Sequence, residues 1–224
     1  MRMSLLSPVA LLFVAALWAG FGCGGDTDPS GGGGAGGSGA GGEAANCAAG
    51  EVCFNVTPAG TVTAGNLGVI WLRLEADGAH DATVAYTAPF TTDLQLVGVP
   101  LAQVTAPPDL DFMCERSCAD PATCPACTGD FAAAVAYVMI VVDTNQNSVI
   151  DTEELADPNN LVGIANAAIV YSEVAHETAP APYDATFPDG VSAGTHAYRV
   201  GSNTTFLKAD DTQRFSLRAG TDAL

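Results

Sequence analysis

The sequence predicts an all-β fold: an antiparallel β-sandwich, stapled by disulfides, with little helix. Short segments with period-2 alternation, turn-forming residues between them and a cysteine-bearing chain that carries marks of export all point there. In EVCFNVT, Val52, Phe54 and Val56 share one face while Glu51, Asn55 and Thr57 share the other. VIWLRLEA sets Ile70, Leu72, Leu74 and Ala76 against Trp71, Arg73 and Glu75. DLQLVGV sets Leu94 and Leu96 against Asp93 and Gln95. THAYRVG sets His196, Tyr198 and Val200 against Arg199, and RFSLRA alternates Phe215 and Leu217 with Arg214, Ser216 and Arg218. Residues 131–142, FAAAVAYVMIVV, are apolar throughout and fit either a buried helix capped by Asp130 or a central strand. The β-branched end, Val138, Ile140, Val141 and Val142, favours the strand. Residues 167–174, AAIVYSEV, read as its neighbour.

The N-terminus opens with a short basic region, Met1-Arg2-Met3-Ser4, followed by an apolar run from Val9 to Trp18 and then small residues. That is the layout of a secretory signal peptide over residues 1–22. The run is too short for a spanning helix, which needs about 20 apolar residues. AGFGCGG around Cys23 resembles the lipobox of bacterial lipoproteins, with Gly22 suiting the position before the cysteine and Gly20 standing where the family has an aliphatic residue. The resemblance implies that Cys23 is lipidated and becomes the new N-terminus. Residues 23–45 are dominated by glycine and predict a flexible tether, with a reach of roughly 25 Å for about 20 residues. Residues 46–224 are then one domain, long enough for a sizeable core.

The chain has 25 acidic and 7 basic residues and a net charge of −18. Nucleic acid and anionic lipid head groups are poor partners for such a surface, and cations are better ones. Seven cysteines leave one outside any internal disulfide, and assigning Cys23 to lipid leaves Cys47, Cys53, Cys114, Cys118, Cys124 and Cys127 to pair. Cys47 with Cys53 is the local pairing, with two bridges in the later cluster. In a cytosolic chain CERSCADPATCPAC would suggest zinc or redox chemistry, but outside the cytoplasm disulfides are the default.

One stretch reads as chemistry. In DTNQNSVIDTEE, residues 143–154, oxygen-bearing side chains recur at alternate positions and a carboxylate closes the run. The stretch resembles the calcium loop shared by EF-hands and dockerin-type repeats. The resemblance places Asp143, Asn145 and Asn147 at ligand positions 1, 3 and 5, the Val149 carbonyl at 7, Asp151 at 9 and Glu154 at the bidentate position 12. Ile150 matches the family's apolar residue at position 8, whereas Ser148 stands where the family has glycine at a positive φ. A side chain in that conformation costs about 1–2 kcal/mol. Pro158 stops any helix begun by TEELA, so the paired helices of an EF-hand sensor are not expected. A polar hairpin turn would use the same Asp, Asn and Ser residues, but would not need Glu154 or Ile150.

GVSAG, residues 190–194, matches the G-x-S-x-G of serine hydrolases, with Ser192 as the candidate nucleophile. A Pro-rich loop precedes Ser192, and the only downstream histidine, His196, lies inside a strand. The expectation is therefore a lipid-anchored, non-catalytic binding or structural module of the cell envelope, at the outer membrane, with one structural calcium ion and an unidentified protein or glycan partner. A secreted hydrolase using Ser192 is the alternative. Ser192 beside a histidine and an acid would favour the hydrolase, and exposed aromatics such as Trp71 would favour binding.

Overall fold

A computed structural model describes residues 47–74, 80–108, 131–181, 183–202, 205–209 and 213–223. The signal peptide, Cys23, the tether, and Cys114, Cys118, Cys124 and Cys127 lie outside the described residues. The strands are β1 (Glu51–Pro58), β2 (Gly65–Leu74), β3 (His80–Phe90), β4 (Leu96–Pro100), β5 (Ala134–Val141), β6 (Leu161–Ser172), β7 (Gly194–Val200), β8 (Phe206–Lys208) and β9 (Arg214–Ala219). Among the described residues the one α-helix is α1 (Thr152–Ala156), which follows the loop after β5.

The fold is all-β, but its hydrogen bonding does not divide into the two sheets of a sandwich. Among the described residues all nine strands belong to one sheet, ordered β3-β2-β5-β6-β9-β1-β4 and curled into a half-barrel, with β7 and β8 branching from β6. Pairing is antiparallel except between β1 and β9. The branch occurs within the long strand β6. Gly163–Ala165 pairs with β9, whereas Ala167–Ser172 pairs with β7. At the fork the Asn166 Oδ1 accepts a hydrogen bond from the Ser216 backbone N–H at 2.8 Å. A side chain thus satisfies a strand donor where the sheet divides.

β5 lies between β2 and β6 and is buried on both faces, which explains its unbroken apolar run. Ala134, Ala136, Val138 and Ile140 face a concave core with Phe54, Val69, Trp71, Ile169, Phe215 and Leu217. On the convex side, Val135 joins Phe131, Tyr183, Phe187 and Tyr198, while Met139 and Val141 join Ile70 and Ile150. The two end strands of the sheet are linked by the chain leaving β4. A single 3-10 turn, Leu101–Gln103, leads to Thr105, whose N–H donates to the Ala85 carbonyl of β3 at 3.1 Å. The Thr105 carbonyl accepts from Trp71 Nε1 at 2.9 Å.

Two sequence expectations change here. Trp71, read on the polar face of its strand, is buried in the concave core, because both faces of β2 are covered. In β4 it is Val97 and Val99 that meet the core, not Leu96, although Leu94 also packs there. The apolar run of residues 131–142 forms strand β5 over Ala134–Val141, the reading its β-branched end favours. The Cys47–Cys53 disulfide is present, with the two Cα atoms 5.8 Å apart.

Phe54 is fully buried and packs against Phe215 with ring centroids 5.8 Å apart. Phe54→Ala is expected to cost about 3–5 kcal/mol, read as a lower denaturant midpoint at unchanged slope.

Candidate calcium loop

The chain leaves β5 through residues 142–151, forms the five-residue helix α1, and re-enters the sheet at β6. The Val142 N–H donates to the Asn160 carbonyl at 2.7 Å and closes the base of this excursion. Two non-glycine residues in it adopt the left-handed region, Gln146 at φ 59° and Ser148 at φ 62°. Ser148 therefore has the conformation for which the calcium-loop pattern uses glycine.

Short hydrogen bonds draw the loop's oxygen donors together. The Asp143 Oδ1 accepts from the Asn147 N–H at 3.1 Å and its Oδ2 from the Ser148 N–H at 2.8 Å. The Asn145 Oδ1 accepts from the same Asn147 N–H at 3.0 Å, and the Asn147 Oδ1 from the Val149 N–H at 2.8 Å. Both Asn145 Nδ2 and Asn147 Nδ2 donate to Asp151 Oδ2, at 2.7 and 2.8 Å. Asp143, Asn145, Asn147 and Asp151 are thus joined in one hydrogen-bonded knot.

Glu154 spans the ends of the loop. Its Oε1 accepts from the Thr144 N–H at 2.7 Å and from Thr144 Oγ1 at 3.0 Å, and its Oε2 accepts from the Asp151 N–H at 3.2 Å. The residue is only 2% exposed. All three of these donors are neutral. Burying a carboxylate in that way is costly.

The loop is seated on the sheet by apolar contacts. Ile150 is buried and packs with Ile70, Met139 and Val141, with Leu155 of α1 alongside. Gly68 of β2 makes room for it, since a Cβ built there would lie 2.5 Å from Ile150 Cδ1. Next to Gly68 on the same face of the strand, Asn66 donates its Nδ2 to the Val149 carbonyl at 3.5 Å. Asn66 and Gly68 are the site-supporting residues that sequence reasoning missed. Their only signal was an Asn and two glycines at the start of a strand, which resembles turn chemistry.

All six residues assigned to calcium, Asp143, Asn145, Asn147, Val149, Asp151 and Glu154, therefore fall in one excursion. Their donors are all oxygens, the chemistry a hard cation takes. Among the described residues, no three His, Cys, Asp or Glu side chains converge as a ready metal group.

The serine-hydrolase motif is placed differently. The Ser192 backbone N–H donates to the Tyr198 hydroxyl at 2.9 Å. His196 Nε2 lies 2.7 Å from the Ala193 carbonyl oxygen, and His176 pairs through its backbone with Val191. Ser192 therefore serves as a backbone anchor for a buried tyrosine. Comparison of the chain with protein-family models, with curated proteins and with solved structures finds no match.

Two outcomes follow from this geometry. Gly68→Ala displaces Ile150 and is expected to cost about 1–3 kcal/mol, measured by chemical unfolding. Burial raises the Tyr198 hydroxyl above the ordinary tyrosine pKa, against the lowering effect of its hydrogen bonds with Ser192. A raised folded-state value means that the associated stability is complete below about pH 10 and is lost as pH rises through the folded value. Tyr198→Phe should flatten this alkaline decline in a pH series of unfolding midpoints, at a cost of about 1 kcal/mol near neutrality for the lost hydrogen bond.

Proposed function

We propose that this chain is a lipid-anchored protein of the cell envelope, held at the outer membrane through Cys23. Its β domain serves as a non-catalytic binding or structural module, and residues 143–154 hold one structural calcium ion. The anchor is supported by the N-terminal run, the small residues before Cys23 and the glycine-rich stretch after it. A surface partner, protein or glycan, is the counterpart of such a module.

The observation that carries the calcium reading is Glu154. Its carboxylate is buried among neutral donors, in a twelve-residue loop that also carries Asp143 and Asp151. A divalent cation offsets that concentration of negative charge. Asp143, Asn145, Asn147, Asp151 and Glu154 would supply side-chain oxygens, and Val149 its carbonyl. A structural role is favoured over sensing because β5 precedes the loop and α1 has five residues, so no pair of long helices flanks it. The non-catalytic reading is supported by Ser192, whose neighbouring histidine is engaged with the Ala193 carbonyl.

Thermal unfolding with about 10 mM calcium and with chelator tests the reading. For a dissociation constant of about 10⁻⁴–10⁻³ M, typical of extracellular modules, the ion should add about 1.4–2.7 kcal/mol. The midpoint should then rise by about 3–10 °C, and Asp143→Ala should abolish the gain. Equal midpoints with calcium and chelator would overturn the calcium assignment. Separately, Cys23→Ala should move the protein from the membrane fraction to the soluble one; retention in the membrane would remove the lipid anchor from the proposal.

A further inference from the structure

We infer that Asn66, on β2 and outside the loop, is a positioning residue that orients the Val149 carbonyl toward the cation. The inference rests on the calcium reading and extends it to a residue that the loop pattern does not contain. Five of the six ligand positions use side chains, which can turn toward an ion. Val149 contributes only its main-chain oxygen, so its direction depends on what holds the peptide.

Asn66 is suited to that task by burial and by placement. It is 3% exposed, and its backbone is fixed on both sides, opposite Val141 of β5 and Pro89 of β3. Its Nδ2 is directed at the Val149 oxygen at 3.5 Å. A carbonyl oxygen has two lone pairs, so a donor on one leaves the other for a cation. Asn66 and Gly68 lie on the same face of β2, and they receive Val149 and Ile150 respectively. Two neighbouring loop residues thus dock on alternate positions of one strand, one through a hydrogen bond and the other by filling the space over a glycine. Outer partners of this kind commonly change metal affinity by about 10–100-fold when removed.

The test uses full-length protein in detergent, calcium titrated by calorimetry, and unfolding midpoints measured in chelator. Asn66→Leu removes the donor while keeping a side chain of similar size. The expected result is at least a roughly tenfold weaker calcium dissociation constant with the chelator midpoint unchanged or raised. Should Asn66→Leu fail to fold, Asn66→Ala serves for the same comparison. Unchanged affinity would overturn the inference, as would an affinity loss accompanied by an equal destabilisation in chelator, which marks a purely structural role. If the wild-type protein binds no calcium, the calcium reading itself fails and the inference with it. That outcome is distinguished by the wild-type titration alone.

Discussion

The burial of β5 on both faces is the constraint around which the described structure is arranged. A strand with Val138 and Ile140 on one side and Met139 and Val141 on the other needs apolar cover twice. On the concave side the cover is the sheet itself, because β9, β1 and β4 continue the curl and bring Phe54, Phe215 and Leu217 onto the core. On the convex side the main path of described strands offers no such cover. Cover comes instead from two excursions, the segment carrying Tyr183 and Phe187 and the loop carrying Ile150 and Leu155. Each excursion can shield the sheet only by turning its own apolar residues inward.

That requirement gives the loop its two-sided character. Ile150 and Leu155 face the sheet, whereas Asn145, Asn147 and Ser148 are exposed and Asp143 is half-buried. Glu154 belongs to neither side, since it sits in α1 and reaches back to Thr144 and Asp151. Whatever holds the oxygen donors in place therefore also holds an apolar lid over Met139 and Val141. In the proposed reading, ion binding and the integrity of the convex cluster are two expressions of one folding equilibrium.

The strand pairings also set the loop apart from the chain's entry into the domain. The Cys47–Cys53 bridge stands at the start of β1. The other end of β1, at Pro58, aligns with Ala219 of β9, which aligns in turn with Gly163 near the start of β6. β6 begins after α1 and a 3-10 turn at Pro158–Asn160, and pairs Leu161 with Val141 at the end of β5. The excursion from 142 to 160 thus belongs to the end of the sheet opposite the disulfide. In the lipoprotein reading the tether joins the disulfide end.

Much of this was legible because it is local. Alternation marked Val52, Phe54, Phe215 and Leu217 as core, the β-branched end of residues 131–142 marked a strand, and the six-residue separation of Cys47 and Cys53 marked a bridge. The loop pattern placed its apolar anchor at Ile150 and a left-handed residue at Ser148, both from spacing within twelve residues. Period and turn chemistry act between neighbours in the chain, so one sequence suffices to read them. Alternation left Trp71 on the polar face, because covering both sides of β2 requires partners distant in sequence. It set Leu96 on the core face in place of Val97 and Val99, and it could not place the fork at Asn166 or bring Asn66 to the Val149 carbonyl. Those depend on which strands pair and which faces are covered, and such choices are made by long-range burial and hydrogen bonding, which only the tertiary structure decides.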